Sequence, residues 1–157
     1  ANLPAGMREG DVRSCIVMLL NVSTQNAAVL EQALLDADVG QTTAVSLGHA
    51  VALTEKAATR LSQLTAVESI DLTEVYLAPE QLGALLALPR LRHLSIRGGT
   101  SWEFDGSLNV FPTLGKAHLE VLVQCCPSHL RVLELAYQEV DASLAATLPQ
   151  VDLRIVP

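Results

Sequence analysis

The chain has 157 residues, half of them hydrophobic, with a net charge of −7 and only 3% aromatic side chains. That length suits a single domain with a core of Leu, Val and Ala, and Lys and Arg residues scattered along the sequence offer no basic stripe to a phosphate backbone, which argues against nucleic acid as a partner. No apolar run reaches the roughly 18 to 20 residues needed to span a bilayer and no signal-peptide pattern opens the chain, so the expectation is an intracellular, cytoplasmic protein without a membrane.

In chain order, Ala1 to Asp11 contains Pro4, Gly6 and Gly10 and reads as a linker or irregular N-terminal cap. A strand candidate follows at Cys15/Met18/Leu20. Next comes a helical stretch from Thr24 to Ala37, with Thr24 as N-cap and Ala27, Leu30, Leu34 and Leu35 at helical spacing. Val45/Leu47 mark a second strand, and Thr54 caps a second predicted helix running to Leu64. The pattern apolar-x-x-apolar-x-apolar then becomes clear at Val67/Ile70/Leu72, Leu91/Leu94/Ile96 and Leu130/Leu133/Leu135. Helices are predicted between these copies at Pro79 to Leu88, where Pro79 suits a first turn, and at Leu114 to Cys126. A last strand candidate lies near Val151/Leu153/Ile155, with two registers open.

All but one of the steps between copies fall within about 20 to 29 residues, and a strand followed by a helix buries its apolar face only when such units stack. Two copies extend further, through Val75 and Leu77 and through Gln138 and Val140, filling the later positions of L-x-x-L-x-L-x-x-N-x-L. On these residues the chain resembles the leucine-rich-repeat family, in its longer, helix-bearing classes, over 12–157. The resemblance implies a short α/β solenoid with parallel strands on the concave face and helices on the convex face. One repeat, Leu119 to Leu135, is similar to the cysteine-containing repeats of F-box substrate-binding proteins, in which Cys-Pro precedes a strand. Elsewhere Leu88-Pro89 and Leu148-Pro149 take that place, so a ubiquitin-ligase role rests on analogy with one repeat.

The step from Leu94 to Leu133 is longer than the others, and the excess falls in Gly98 to Thr113, reading GGTSWEFDGSLNVFPT. This insertion reads as a loop, yet it holds the sole tryptophan, Trp102, and both phenylalanines, Phe104 and Phe111. Two readings stand: the rings form a partner-binding hot spot on a rigid scaffold, or they fold back over an apolar gap beside the strands. The other candidate surface is the strand face that alternation turns away from the core. Stacking the clear copies gives columns Ser69/His93/Val132, Asp71/Ser95/Glu134 and Thr73/Arg97/Ala136, and His93, Arg97, Asp71 and Glu134 are the candidate contacts.

Catalysis is not suggested. A doubly wound nucleotide-binding enzyme requires a Gly-rich turn between strand and helix, whereas Gly40, Gly48 and Gly83 are isolated and Gly98-Gly99 opens no helix. Cys125 or Cys126 with His129 as a nucleophilic pair is set aside because a Cys-Pro helix end reads as packing, and no metal-ligand spacing or cofactor motif occurs. The odd set Cys15, Cys125 and Cys126 reads as reduced thiols. The expectation is a non-enzymatic interaction module whose partner is another protein. The alternative is self-assembly into a homo-oligomer through the terminal strand, whose edge is open to another chain.

Overall fold

Alternating Leu, Ile and Val residues prefer extended backbone when one face can be buried, and the chain uses that preference six times. The computed structural model describes residues 18–141 and 143–157, so the linker expected over 1–11 and Cys15 lie outside the described residues. The order is β1 (Met18–Ser23), α1 (Ala27–Asp36), β2 (Thr42–Gly48), β3 (Val51–Ala52), α2 (Glu55–Ser62), β4 (Ser69–Thr73), β5 (Val75–Tyr76) and α3 (Pro79–Leu86). It continues with β6 (His93–Arg97), β7 (Gly99–Trp102), β8 (Leu108–Phe111), α4 (Lys116–Cys125), β9 (Val132–Ala136), α5 (Leu144–Thr147) and β10 (Asp152–Val156). The protein is an α/β structure with one six-stranded sheet in the order β1-β2-β4-β6-β9-β10. Every pairing in that sheet is parallel, and each new strand joins the same growing edge.

The inward columns form the core. Val45, Ile70, Leu94 and Leu133 follow one another in register, as do Leu47, Leu72, Ile96 and Leu135, and all are buried. Leu30, Leu34, Leu61, Leu82, Leu85 and Leu122 close over them from the helices. Burial of each such side chain contributes about 1.5–3 kcal/mol, so this double layer of aliphatic columns dominates the stability. Successive helices also pack on each other, α1 on α2, α2 on α3 and α3 on α4. Arg60 on α2 ties one pair together: its guanidinium donates to the Leu34, Leu35 and Ala37 carbonyls at 3.0–3.2 Å, meeting acceptors that the end of α1 leaves open.

Two details of the first unit depart from the sequence reading. Leu20 pairs with Val45 and Val22 with Leu47, so the first copy sits two residues later than Cys15/Met18/Leu20. A slip of two keeps the same side chains facing inward, and Val22 supplies the second inward residue that Met18, 39% exposed, does not. The N-cap of α1 is Asn26 rather than Thr24: the Asn26 side chain accepts from the Ala28 amide, while Thr24 Oγ1 accepts from Asn26 itself. Thr54 does cap α2, accepting from the Ala57 amide at 3.2 Å. Pro79 opens α3, where the Gln81 side chain reaches back to accept from the Ala78 amide. At the far end Leu153 pairs with Leu133 and Ile155 with Leu135, which fixes the register left open. Among the described residues no helix is long and apolar enough to cross a membrane.

Candidate partner-binding surfaces

The outward face of the sheet is built from the residues between the core positions. Ser69, His93 and Val132 are register neighbours, as are Asp71, Ser95 and Glu134, and Thr73, Arg97 and Ala136. The middle column continues to Asn21 and Ser46 on one side and Arg154 on the other. Arg97 and Glu134 face each other diagonally at 3.6 Å, with the Arg97 guanidinium 6.0 Å from the centre of the Tyr137 ring. Such an exposed pair contributes at most about 1 kcal/mol, so both groups remain open to exchange for an outside partner. Asp71 differs: flanked by Ser46 and Ser95, its Oδ1 is buried and has no hydrogen-bond partner among the described residues. His93 stands half-buried at the start of β6, away from the Asp71 column.

The insertion is not a loop but an antiparallel hairpin, Gly99–Trp102 against Leu108–Phe111, with Trp102 opposite Leu108 and Gly99 opposite Phe111. Its turn follows from Asp105-Gly106, the dipeptide best suited to a tight reversal. Gly106 takes φ +84° and Asp105 Oδ1 accepts from both the Ser107 amide and hydroxyl. Those Ser107 bonds, led by the hydroxyl, hold the Asp105 carboxyl below its ordinary pKa.

Two devices root the hairpin. Gly98, directly after β6, donates its amide to the Ala136 carbonyl at 2.9 Å, and a Cβ there would collide with the Tyr137 carbonyl oxygen. Gln138 clamps the other strand: its Oε1 accepts from the Thr113 and Leu114 amides at 2.9 and 3.0 Å, and its Nε2 donates to Thr113 Oγ1 at 2.8 Å.

The rings do not fold back. Trp102 is 74% exposed, Phe104 at the tip is fully exposed and Phe111 is 47% exposed. Val110 adds a further exposed apolar side chain, and Tyr76 stands exposed at the end of β5. Glu74 carries its carboxylate against Gly99 and accepts from the Tyr76 hydroxyl at 3.3 Å. Desolvation first, then the Glu74 charge and this hydrogen bond, push the Tyr76 phenol above its ordinary pKa, so it stays a donor.

The remaining polar candidates are structural. His118 Nδ1 accepts from the Gly115 amide, which leaves Nε2 to donate to the Leu77 carbonyl and tie α4 to the residue after β5. His129 bonds the Leu88 carbonyl at 2.9 Å. Burial pushes the Cys126 thiol up, partly offset by a hydrogen bond with Gln150, whereas Cys125 is exposed. Among the described residues no three His, Cys, Asp or Glu side chains are placed to hold a metal ion. No protein-family model matches the chain, and no curated protein or solved structure matches it.

Proposed function

We propose that the chain is a leucine-rich-repeat solenoid acting as a non-enzymatic interaction module, which engages another protein through its aromatic hairpin and the adjoining sheet face. The observation that carries this reading is the exposure of Trp102, Phe104 and Phe111 on a hairpin rooted in a rigid sheet. Three large rings in water are costly unless a partner covers them, and aromatic anchors on a fixed scaffold bury much area while losing few rotatable bonds.

The strand order supports the module over an enzyme. Doubly wound folds bind cofactors where the strand order reverses, and the six-stranded sheet here adds every strand at one edge.

The test is an affinity pull-down from cell extract with the wild-type domain and a Trp102→Ala, Phe104→Ala variant of verified folding. Loss of a specific partner supports the hairpin as the docking element. An unchanged partner set removes the hairpin and turns attention to His93, Arg97, Asp71 and Glu134. A second reading, self-assembly, is favoured by β10, which among the described residues pairs only with β9 and exposes Ile155 and Val156. A mass that rises with concentration and reverts in a variant with Pro at Ile155 supports it.

A further inference from the structure

A two-stranded sheet has two faces, because successive side chains point to opposite sides. In the hairpin the register sets Thr100 beside Val110 and Trp102 beside Leu108 on one face, with Gly99, Ser101, Asn109 and Phe111 on the other. The Gly99 face turns toward the body of the protein: Gly99 is buried, and the Glu74 carboxylate stands where a side chain at Gly99 would be. On the opposite face Thr100, Trp102 and Val110 are exposed and Leu108 is half-buried. This face is apolar apart from Thr100, and Phe104 at the adjoining turn extends it. β7 and β8 pair with no third strand among the described residues, which leaves backbone groups for an extended segment.

The charge around the hairpin is one-sided. No Lys or Arg occurs in 98–115, nor in the neighbouring segments 71–89 and 132–153. Arg97 and Lys116, which bracket the hairpin in sequence, both have carboxylates beside them: Arg97 pairs with Glu134 at 3.6 Å, and Lys116 lines a hollow with Glu120 and Asp141. Glu74, Glu103, Asp105 and Glu139 have no ion pair among the described residues. Glu103 and Asp105 flank Phe104 on the hairpin itself, Glu74 lies against its first strand, and Glu139 follows the Gln138 clamp on its second. The hydrogen bonds that three of them accept come from Asn109, Ser107 and Tyr76, neutral donors that leave the charge in place.

We infer, on the reading that the hairpin docks a partner, that its Trp102 face takes a basic segment of another protein in which Lys or Arg side chains are interleaved with apolar ones. The apolar side chains cover Trp102, Leu108 and Val110, while ammonium or guanidinium groups meet the four carboxylates and the faces of the exposed rings. The fold already holds one such contact, the Arg97 guanidinium 6.0 Å from the centre of the Tyr137 ring. A second copy of the chain would set the same carboxylates against each other, and an anionic bilayer would repel them.

The experiment selects short random peptides on the immobilised full chain and measures the enriched ones, once synthesised, by the fluorescence of Trp102. The expected peptides carry several Lys or Arg residues among apolar ones, bind with a Kd on the order of 10 μM, and weaken about tenfold when NaCl is raised about tenfold. Glu103→Gln, Asp105→Asn keeps the acceptors that hold the turn and is expected to weaken binding about tenfold, as is Val110→Ser on the Trp102 face, while Phe111→Ala on the other face binds within about twofold of wild type. Enriched peptides that are neutral or acidic, or that ignore salt and the double variant, would overturn the basic partner; if they still need Trp102, the docking role of the hairpin stands. Peptides that bind Trp102→Ala equally well, or no enrichment at all, would end both. Trp102 emission that shifts blue with protein concentration or with phosphatidylcholine vesicles, but not with basic peptides, would overturn the inference by giving the face to a second copy or to a bilayer.

Discussion

Where the strands begin, the chain repeats one turn: the Val67, Leu91, Leu130 and Val151 amides each donate to the carbonyl three residues back. The backbone there is uniform, and side chains such as Glu68, Arg90, Arg92, His129, Arg131 and Asp152 distinguish one unit from the next. Where the strands end, the backbone itself varies. Glu74 and Tyr137 leave their strands with positive φ, Gly98 takes the equivalent position after β6, and the hairpin departs from it. The side chains that follow the strand ends include the acidic Glu74, Glu103, Asp105, Glu139 and Asp141, beside Arg97 at the end of β6. The contrast teaches that one stacked scaffold makes surfaces in two ways, by decorating an invariant turn and by growing an insertion from a variable one.

That contrast breaks first, and hardest, at Gly98. Gly98→Ala drives a methyl group into the Tyr137 carbonyl, backbone against backbone, and the expected loss is about 3 kcal/mol by urea denaturation. An unaltered midpoint would mean that the strand-end backbone yields more easily than its packing indicates. Gln138→Ala comes next, since it strips acceptors from two part-buried amides, with an expected cost of about 2 kcal/mol and faster hydrogen exchange at Thr113 and Leu114. By contrast, Arg90→Gln and Arg92→Gln at the strand starts are expected to leave stability within about 0.5 kcal/mol of wild type.

The smallest effect concerns pH at the hairpin turn. Asp105 has a lowered pKa in the folded chain, so its contribution is present above the ordinary carboxylate value of 3.8 and is lost as the pH falls below it. The Ser107 amide is therefore expected to lose protection on acidification before the amides of β6 do. Simultaneous loss would show that the turn is not an independent unit.

Much of the strand and helix pattern was legible in the residues, because Val67, Ile70, Leu72 and their counterparts from Leu91 and from Leu130 are buried at the same positions in these three units. The outward columns followed from the same alternation. The first unit misled because Met18 and Leu20 share a parity with Leu20 and Val22, so a two-residue slip leaves the pattern intact while moving every pairing. The hairpin had a signal, Asp105-Gly106 between apolar alternations, that the Gly and Ser residues around it obscured. The backbone contact between Arg92 and Arg131 had none: they lie on either side of the insertion in sequence and become neighbours because the hairpin leaves the β6–β9 register undisturbed.

The account rests most directly on the aromatic hairpin presenting its rings to solvent. Trp102 is the sole tryptophan, so its fluorescence reports on that site alone. Emission at the wavelength of free tryptophan in water, quenched by acrylamide nearly as fast as the free amino acid and unchanged in Phe111→Ala, is the predicted result. A blue-shifted, quencher-protected Trp102 in the isolated domain would contradict it, placing the ring against its own sheet.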